Sequence, residues 1–575
     1  MTSPTSATTQ RAARENSPPG RRLPWPARLF TRLSRRGLPP PVCGVRVAPG
    51  IEVPAADGVP LRTDHYIPQL TGPRPALLVR TPYGRGFPWA FLFGGLFAER
   101  GYHVIIQSCR GTGGSGGTFQ PWRHERADGQ ATVAWLRQQD WFTGELATIG
   151  PSYLGYTQWV LAADPPPELR AMIVQVGASA PYPLFYPGGA FALENMLIGV
   201  VAMRYWERGF GAVFRALLRL QARIRRVTRT LPVLDAYPKA TGGRIGYFEE
   251  WLTHPDAADP YWASPDATSA DAAAGAPVPA VPVSLLTGWQ DICLDQNLAE
   301  YQRLRAAGRT PRLVIGPWSH TSGFNDDLPV VVGEALDWLT AYCSKDPAGW
   351  AKPPVRVHVG GGRGEWRDLP DWPPPGPAGQ LWRLAADGQL SAGPLARPGV
   401  SSFRYDPADP TPSVGGQLLS NKAGPVNNQA LEARADVLVF TSPALAGDLE
   451  VIGPVSARLR VRASGPHFDV FARLCDVDPR GRSRNVCDGL IRHVPAAGPA
   501  GAADGLITVP MSATAYRFRA GHRLRLQVSG GAHPRFARNT GTGEPWATTT
   551  RLAAVDLEIV HDAPDPGGLS LPVLG

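Results

Sequence analysis

Ser152 stands in TIGPSYLGYTQWV (148–160), between a short apolar run and a segment of helical pattern. A serine so placed becomes a nucleophile only if a base removes its proton and an acid holds that base in the right tautomer. A Gly-x-Ser match alone describes many plain turns, so the other two groups decide its meaning. Asp291 ends VPVSLLTGWQD and His320 ends PRLVIGPWSH, each at the close of an apolar run and in the order Ser, Asp, His. Asp295 rivals Asp291, four residues on, but falls in the helical pattern that follows; Asp291, at the end of the run, is preferred. Acyl transfer also needs two donors aimed at the oxyanion of the tetrahedral intermediate. One is the backbone N–H of Tyr153, the residue after the nucleophile. The other is the hydroxyl of Tyr83 in RTPYGRG (80–86). Gly150 and Gly155 are the small residues a sharp turn needs. The common pattern puts the second glycine two residues after the serine, where this chain has Leu154.

The elements that must position these groups follow from two textures. From about 45 to 345, apolar runs alternate with helical patterns. ALLVRTPYG (76–84), YHVIIQSCRG (102–111), LATIGPS (146–152), AMIVQVGAS (171–179), VPVSLLTGWQD (281–291) and PRLVIGPWSH (311–320) read as strands covered on both faces. ERADGQATVAWLRQQ (125–139) is a helix candidate between them. This alternation predicts a mainly parallel α/β sheet with each candidate residue at a strand's carboxyl end. The spacing breaks once: MLIGVVAMRYWERGFGAVFRALLRLQARIRRV lies in a helical insertion of about 180–270, suited to cap a pocket. From 346 to 575 the period falls to two. GPVSARLRVRA (453–463) puts Val455, Ala457, Leu459 and Val461 on one face and arginines on the other, and HRLRLQVSG (522–530) does the same. An antiparallel β-sandwich is expected there, with the Pro-rich LPDWPPPGPAG (369–379) near its beginning.

Composition fits a soluble, globular chain of 575 residues with more than one core: 43% hydrophobic, 18% charged, with 64 Gly and 61 Pro. The net charge is +10, but residues 1–40 hold eight arginines and one acid, Glu15, so the remainder carries only about +3. Residues 1–44 read as a basic, disordered tail without the apolar run of a signal peptide. The expected body has no nucleic-acid partner, since it lacks a basic face of its own. The run around Met196–Met203, bounded by Glu194 and Arg204, is too short to span a bilayer, so no membrane partner is expected either. Cys43, Cys109, Cys293, Cys343, Cys475 and Cys487 form no CxxC pair or Cys/His cluster. No metal and no organic cofactor is expected. Cys475 and Cys487 can meet across a hairpin, but free thiols suit a chain without an export signal, and the expected location is cytoplasmic. RGTGGSGG (110–117) lacks the Lys and Ser/Thr of a P-loop, which argues against nucleotide binding. Trp159, Trp206, Trp289 and Trp318 are all candidates to line an acyl pocket; most of them read as core, and Trp289 and Trp318, which flank triad candidates, are preferred for the pocket.

Five blocks in order carry a resemblance. GPSYLG (150–155), PYGRG (82–86), RGTGGSGG, GWQD (288–291) and GPWSH (316–320) are together similar to the cocaine esterase and X-prolyl dipeptidyl aminopeptidase (CocE/NonD) hydrolases. DPRGRSRNVCDGLIR (478–492) and AGHRLRLQVSGGAHPRFARNTGTG (520–543) resemble that family's C-terminal jelly roll. The resemblance covers about 45 to 562. It implies an α/β-hydrolase domain with a helical cap, then an all-β jelly roll. It also implies Ser152 as nucleophile, His320 as base, Asp291 as orienting acid and Tyr83 as oxyanion donor, and it makes a homodimer plausible. One departure lies at QSCRG (107–111): relatives commonly carry an acidic residue before the RG turn, where this chain has Ser108 and Cys109. The expected substrate is a small ester, amide or short peptide. An X-Pro dipeptidyl-peptidase or α-amino-acid ester hydrolase is the alternative within the family, and a non-catalytic binding protein is the alternative outside it.

Overall fold

The continuous apolar runs can be satisfied only inside a sheet covered on both faces, and the computed structural model builds that sheet. It describes residues 37–206, 208–263, 278–343, 350–376, 379–393, 399–495, 503–561 and 567–574. Most of the expected tail, and the end of the expected cap beyond 263, therefore lie outside the described residues.

Ten strands form the first sheet: β1 (Val45–Pro54), β2 (Pro60–Pro68), β3 (Arg74–Thr81), β4 (His103–Ser108), β5 (Phe142–Pro151), β6 (Leu169–Gln175), β7 (Val283–Gln290), β8 (Arg312–Ser319), β9 (Val355–Val359) and β10 (Glu365–Leu369). Their order is β1-β2-β4-β3-β5-β6-β7-β8-β9-β10. The pairs from β4 to β9 are parallel; β1–β2, β2–β4 and β9–β10 are antiparallel. All six strands read from the sequence are present, and the helix expected at 125–139 is α1 (Glu125–Leu136). The edge hairpin β1–β2 and the extension β9–β10 alternate weakly and gave no clear signal. β9 and β10, beyond residue 345, extend this sheet rather than the sandwich.

Two further helices flank the strands that end in candidate residues: α2 (Tyr153–Ala162) after β5 and, past the cap, the helix Leu294–Ala306 after β7. The cap contains α3 (Leu193–Trp206) and α4 (Phe210–Arg229), which pack against each other, and shorter turns down to Pro260–Trp262. Its aromatic core, including Phe185, Phe191, Phe248 and Trp251, is continuous with Tyr153 and Tyr156 of α2 and with Trp546 of the second half. The cap is thus seated on the helix behind Ser152.

The second half is two antiparallel sheets. In the strand Leu449–Ala463, Val455, Ala457, Leu459 and Val461 are buried and Arg458, Arg460 and Arg462 are not, as a period of two requires. Arg523–Ser529 buries Leu524, Leu526 and Val528, but its other face is also covered at Gln527 and Ser529. Cys475 and Cys487 sit on neighbouring strands but out of register, since Leu474 pairs with Cys487 and Cys475 with Asn485; both are free thiols. The two halves are tied at the helix Leu294–Ala306. Asp371, in the Pro-rich connection, accepts hydrogen bonds from Tyr301 (2.9 Å) and Arg305 (3.0 Å). Ser512 donates to Asp295 (3.2 Å), and Gln290 donates to the Val486 carbonyl (3.1 Å).

Candidate active site

β5 ends in a turn so tight that Ser152 is driven to φ 58° and ψ −124°, one of three non-glycine residues with positive φ among those described. Such strain costs of order 1–3 kcal/mol and persists only when its surroundings over-determine it. Here they do. The Ser152 N–H donates to the Gln175 and Val176 carbonyls of the neighbouring strand, and its carbonyl accepts from Gly155 and Ala178. The glycines explain the motif's departure. A Cβ at Gly150 would lie 2.5 Å from Leu154 Cβ, so the leucine folds back beneath the turn. A Cβ at Gly155 would lie 2.7 Å from Gly177 Cα, so 155 is where this chain needs its second glycine.

Tyr83 follows β3, and its hydroxyl lies 3.4 Å from Ser152 Oγ. The Tyr153 N–H is also directed at that phenolic oxygen. As the first helical residue, Tyr153 has no partner for this N–H inside α2. Two donors therefore converge beside the serine hydroxyl. Burial pushes the Tyr83 phenol up to about 12, so it stays a proton donor. Its ring closes a three-membered aromatic cluster with Trp206 of the cap (5.3 Å between centroids) and Trp89 (5.8 Å), which lie 5.9 Å from each other.

Asp291 closes β7 and is fully buried, and His320 follows β8. His320 Nδ1 lies 2.7 Å from Asp291 Oδ1. The Thr287 hydroxyl donates to Asp291 Oδ2 (2.7 Å) and the Cys293 N–H to Oδ1 (3.1 Å), so both carboxylate oxygens are held and its orientation is fixed. A proton donated from Nδ1 leaves Nε2 as the ring's free base. Asp295 does not reach the imidazole. It lines a cleft of about 390 Å³ with Asn195, Gln296 and Arg535. Cys293 stands beside the pair, with Sγ within 4.8 Å of donor atoms of Asp291 and His320. That trio does not suit a metal: burial and the Asp291 charge raise the Cys293 thiol well above its ordinary value, and the carboxylate oxygen is already bonded to the imidazole.

Two expected residues are engaged elsewhere, a correction to the pocket expectation. Trp289 donates to the His358 carbonyl (2.7 Å) and packs on Trp372. Trp318 is 1% exposed, donates to Asp327 (2.9 Å), and fills the hollow left by Gly288, Gly316 and Gly323. Trp159 is core, as expected, whereas Trp206 stands at the site against Tyr83. The sequence also did not disclose the support beneath Tyr153. Its hydroxyl donates to Glu125 (2.5 Å), and Glu125 pairs with buried Arg80, whose Nε donates to Gln107. At QSCRG, Ser108 accepts from Arg85 (2.7 Å), and the carboxylate that neutralises Arg85 comes from Asp64 on β2 (3.0 Å).

With this geometry in hand, the profile described as X-Pro dipeptidyl-peptidase (S15 family) matches residues 57–322. That described as the X-Pro dipeptidyl-peptidase C-terminal non-catalytic domain matches 348–564. The cocaine esterase of Rhodococcus sp. (strain MB1 Bresler) is 32% identical, with 92% of this chain and 98% of that protein covered. The chain belongs to the S15 family. It is a serine hydrolase with an α/β-hydrolase fold and a C-terminal β domain. Among solved structures, an aminopeptidase from the marine sediment archaeon Thaumarchaeota archaeon superposes with a TM-score of 0.76 at 20% identity, covering 93% of this chain and 96% of that one. An α-amino acid ester hydrolase superposes at 0.73 and 20%, covering 92% and 97%. At these identities the likeness is one of fold. Among the described residues of this S15 member, no helix is long and apolar enough to cross a membrane.

Proposed function

We propose that this S15 hydrolase is an esterase in which Ser152 attacks the carbonyl carbon of a small ester. His320 Nε2 takes the serine proton and returns it to the leaving alcohol. Asp291 holds the imidazole in the Nδ1–H tautomer and stabilises the imidazolium. The Tyr83 hydroxyl and Tyr153 N–H receive the oxyanion. Water, deprotonated by the same imidazole, then releases the acid. The observation that carries this reading is the pairing of a 2.7 Å His320–Asp291 contact with a strained serine whose hydroxyl faces Tyr83. An ester is favoured over an amine-bearing peptide by the groups gathered at Tyr83. Trp89, Trp206 and the thiols Cys109 and Cys293 stand there, while the carboxylates Asp291 and Glu125 are already bonded to His320 and Arg80.

The test is labelling with a fluorophosphonate, peptide mapping, and a panel of esters with free and blocked α-amines. Label on Ser152 that is lost in Ser152→Ala and slowed by several orders of magnitude in His320→Ala supports the mechanism. Label elsewhere, or Ser152→Ala retaining most of the activity, refutes it. One observation favours a second reading: the Asp295 carboxylate opens into the cleft lined by Ile292, one residue from Asp291. Turnover of X-Pro peptides that requires both a free amine and Asp295 would make the protein an aminopeptidase.

A further inference from the structure

The cap helix α4 carries a surface that ester hydrolysis does not require. Its inward stripe, Val213, Ala216, Leu220, Ile224 and Val227, is buried. Its other face holds Arg215, Arg219, Arg223, Arg225, Arg226 and Arg229 with no acidic residue anywhere in the helix. Beside those arginines, in the first half of the helix, stand Phe214 and Leu218, 56% and 51% exposed and one turn apart. Arg229 meets exposed Asp409 at 3.4 Å, whereas among the described residues Arg215, Arg219, Arg223 and Arg226 have no ion-pair partner.

We propose that this face docks the enzyme on anionic phospholipid surfaces, with Phe214 and Leu218 entering the headgroup boundary and the arginines meeting lipid phosphates. A basic amphipathic helix with bulky apolar residues among its charges has the composition of an interfacial helix. The same features weigh against other occupants. A second copy of the chain, related by a two-fold axis, would bring one set of arginines against the other. A polyphosphate backbone would neutralise the arginines but leave the apolar pair without burial. The expectation of no membrane partner came from the lack of a spanning run and does not bear on a helix lying in the interface. The position gives the surface a use. α3, which leads into α4, ends at Trp206, whose ring lies against Tyr83. A lipid surface at α4 would thus stand next to the site that holds Ser152.

The test is co-sedimentation of the full chain with vesicles of phosphatidylcholine alone or with about one-third phosphatidylglycerol, at low salt and at about 0.5 M salt. Turnover of a water-soluble ester is measured in parallel as a control of folding. The expected result is binding to anionic vesicles at least about tenfold tighter than to neutral ones, weakened by salt. The double variant Phe214→Ser, Leu218→Ser is expected to lose at least about tenfold of that affinity, with soluble-ester turnover unchanged. This variant is decisive because the arginines of residues 1–40 supply attraction that it leaves intact. Wild-type affinity in the double variant, or no binding to anionic vesicles, overturns the proposal. So does binding to an RNA homopolymer that matches vesicle binding and ignores the double variant. A dimer by light scattering that the double variant converts to monomer would assign the face to a second copy and overturn it as well.

Discussion

Replacing Tyr83 with phenylalanine removes one O–H group and little else. The ring is fixed by packing beside Trp206 and Trp89 in one aromatic cluster, which phenylalanine reproduces. The hydroxyl meets Ser152 Oγ at 3.4 Å and the Tyr153 N–H, so its loss leaves no distant network unpaired. The lost ground-state contacts are worth about 0.5–1.5 kcal/mol, a shift in Tm of a few degrees at most in a chain of this size. The transition state loses more. There the phenol donates to a full negative charge in a site drier than water, and removing one such donor costs about 2.7–4 kcal/mol, or about 10²–10³ in kcat. KM should change by less than about threefold, because the neutral carbonyl of the bound ester calls on the donor weakly. The assay is steady-state hydrolysis of a chromogenic ester, with fluorophosphonate labelling as a second readout. A Tyr83→Phe enzyme with kcat within about threefold of wild type would refute the assignment of Tyr83 as an oxyanion donor.

Three further outcomes are expected. Asp291→Asn keeps an oxygen for the Cys293 N–H and His320 and turns its amide to the Thr287 hydroxyl, so what it removes is the charge that stabilises the imidazolium, and it should lower kcat by about 10²–10⁴; a loss under tenfold would point to another orienting acid. Gly155→Ala should destabilise by about 1–3 kcal/mol, since its methyl meets the Gly177 backbone, and should lower kcat as α2 shifts; calorimetry and kinetics on one sample check both. His65 and His103 share a buried 2.8 Å contact, and burial lowers them to about 3 and about 4. The unfolded chain takes up protons at these rings below about pH 6.5, and the folded one does not. Stability should therefore be intact above that pH and fall as pH drops toward 4, by up to about 1.4 kcal/mol per unit for each ring. Denaturant melts of wild type and His65→Phe between pH 4 and 7 read the difference, and identical slopes would count against the pair's role.

What could be read from the sequence was what a two-sided sheet forces on it. Six central strands are continuous Val/Ile/Leu runs, and Ser152, Asp291 and His320 stand where such runs stop. Asp291 was separable from Asp295 because one ends a strand and the other enters a helix. The tryptophans misled because closeness in sequence to Asp291 and His320 does not fix direction once a strand has ended. Gly288 and Gly316 held the missing signal: each lacks the side chain that would occupy the space Trp318 takes. The support of Tyr153 by Glu125 and Arg80, and the supply of a carboxylate to Arg85 by Asp64, join residues from separate elements. No local pattern announces such pairs.

The way β9 and β10 close the first sheet has a consequence for any attempt to divide this chain. A fragment ending at residue 343 would retain Ser152, Asp291 and His320. It would also turn β8, a buried and largely apolar strand, into a bare sheet margin with a row of unpaired amides. Margins of that kind recruit strands from other molecules. The same cut would free Tyr301 and Arg305 from Asp371, loosening the helix that follows Asp291. The β9–β10 extension therefore works as a guard against self-association and Asp371 as a brace, and a fragment cut at residue 343 is expected to aggregate where one that keeps both is not.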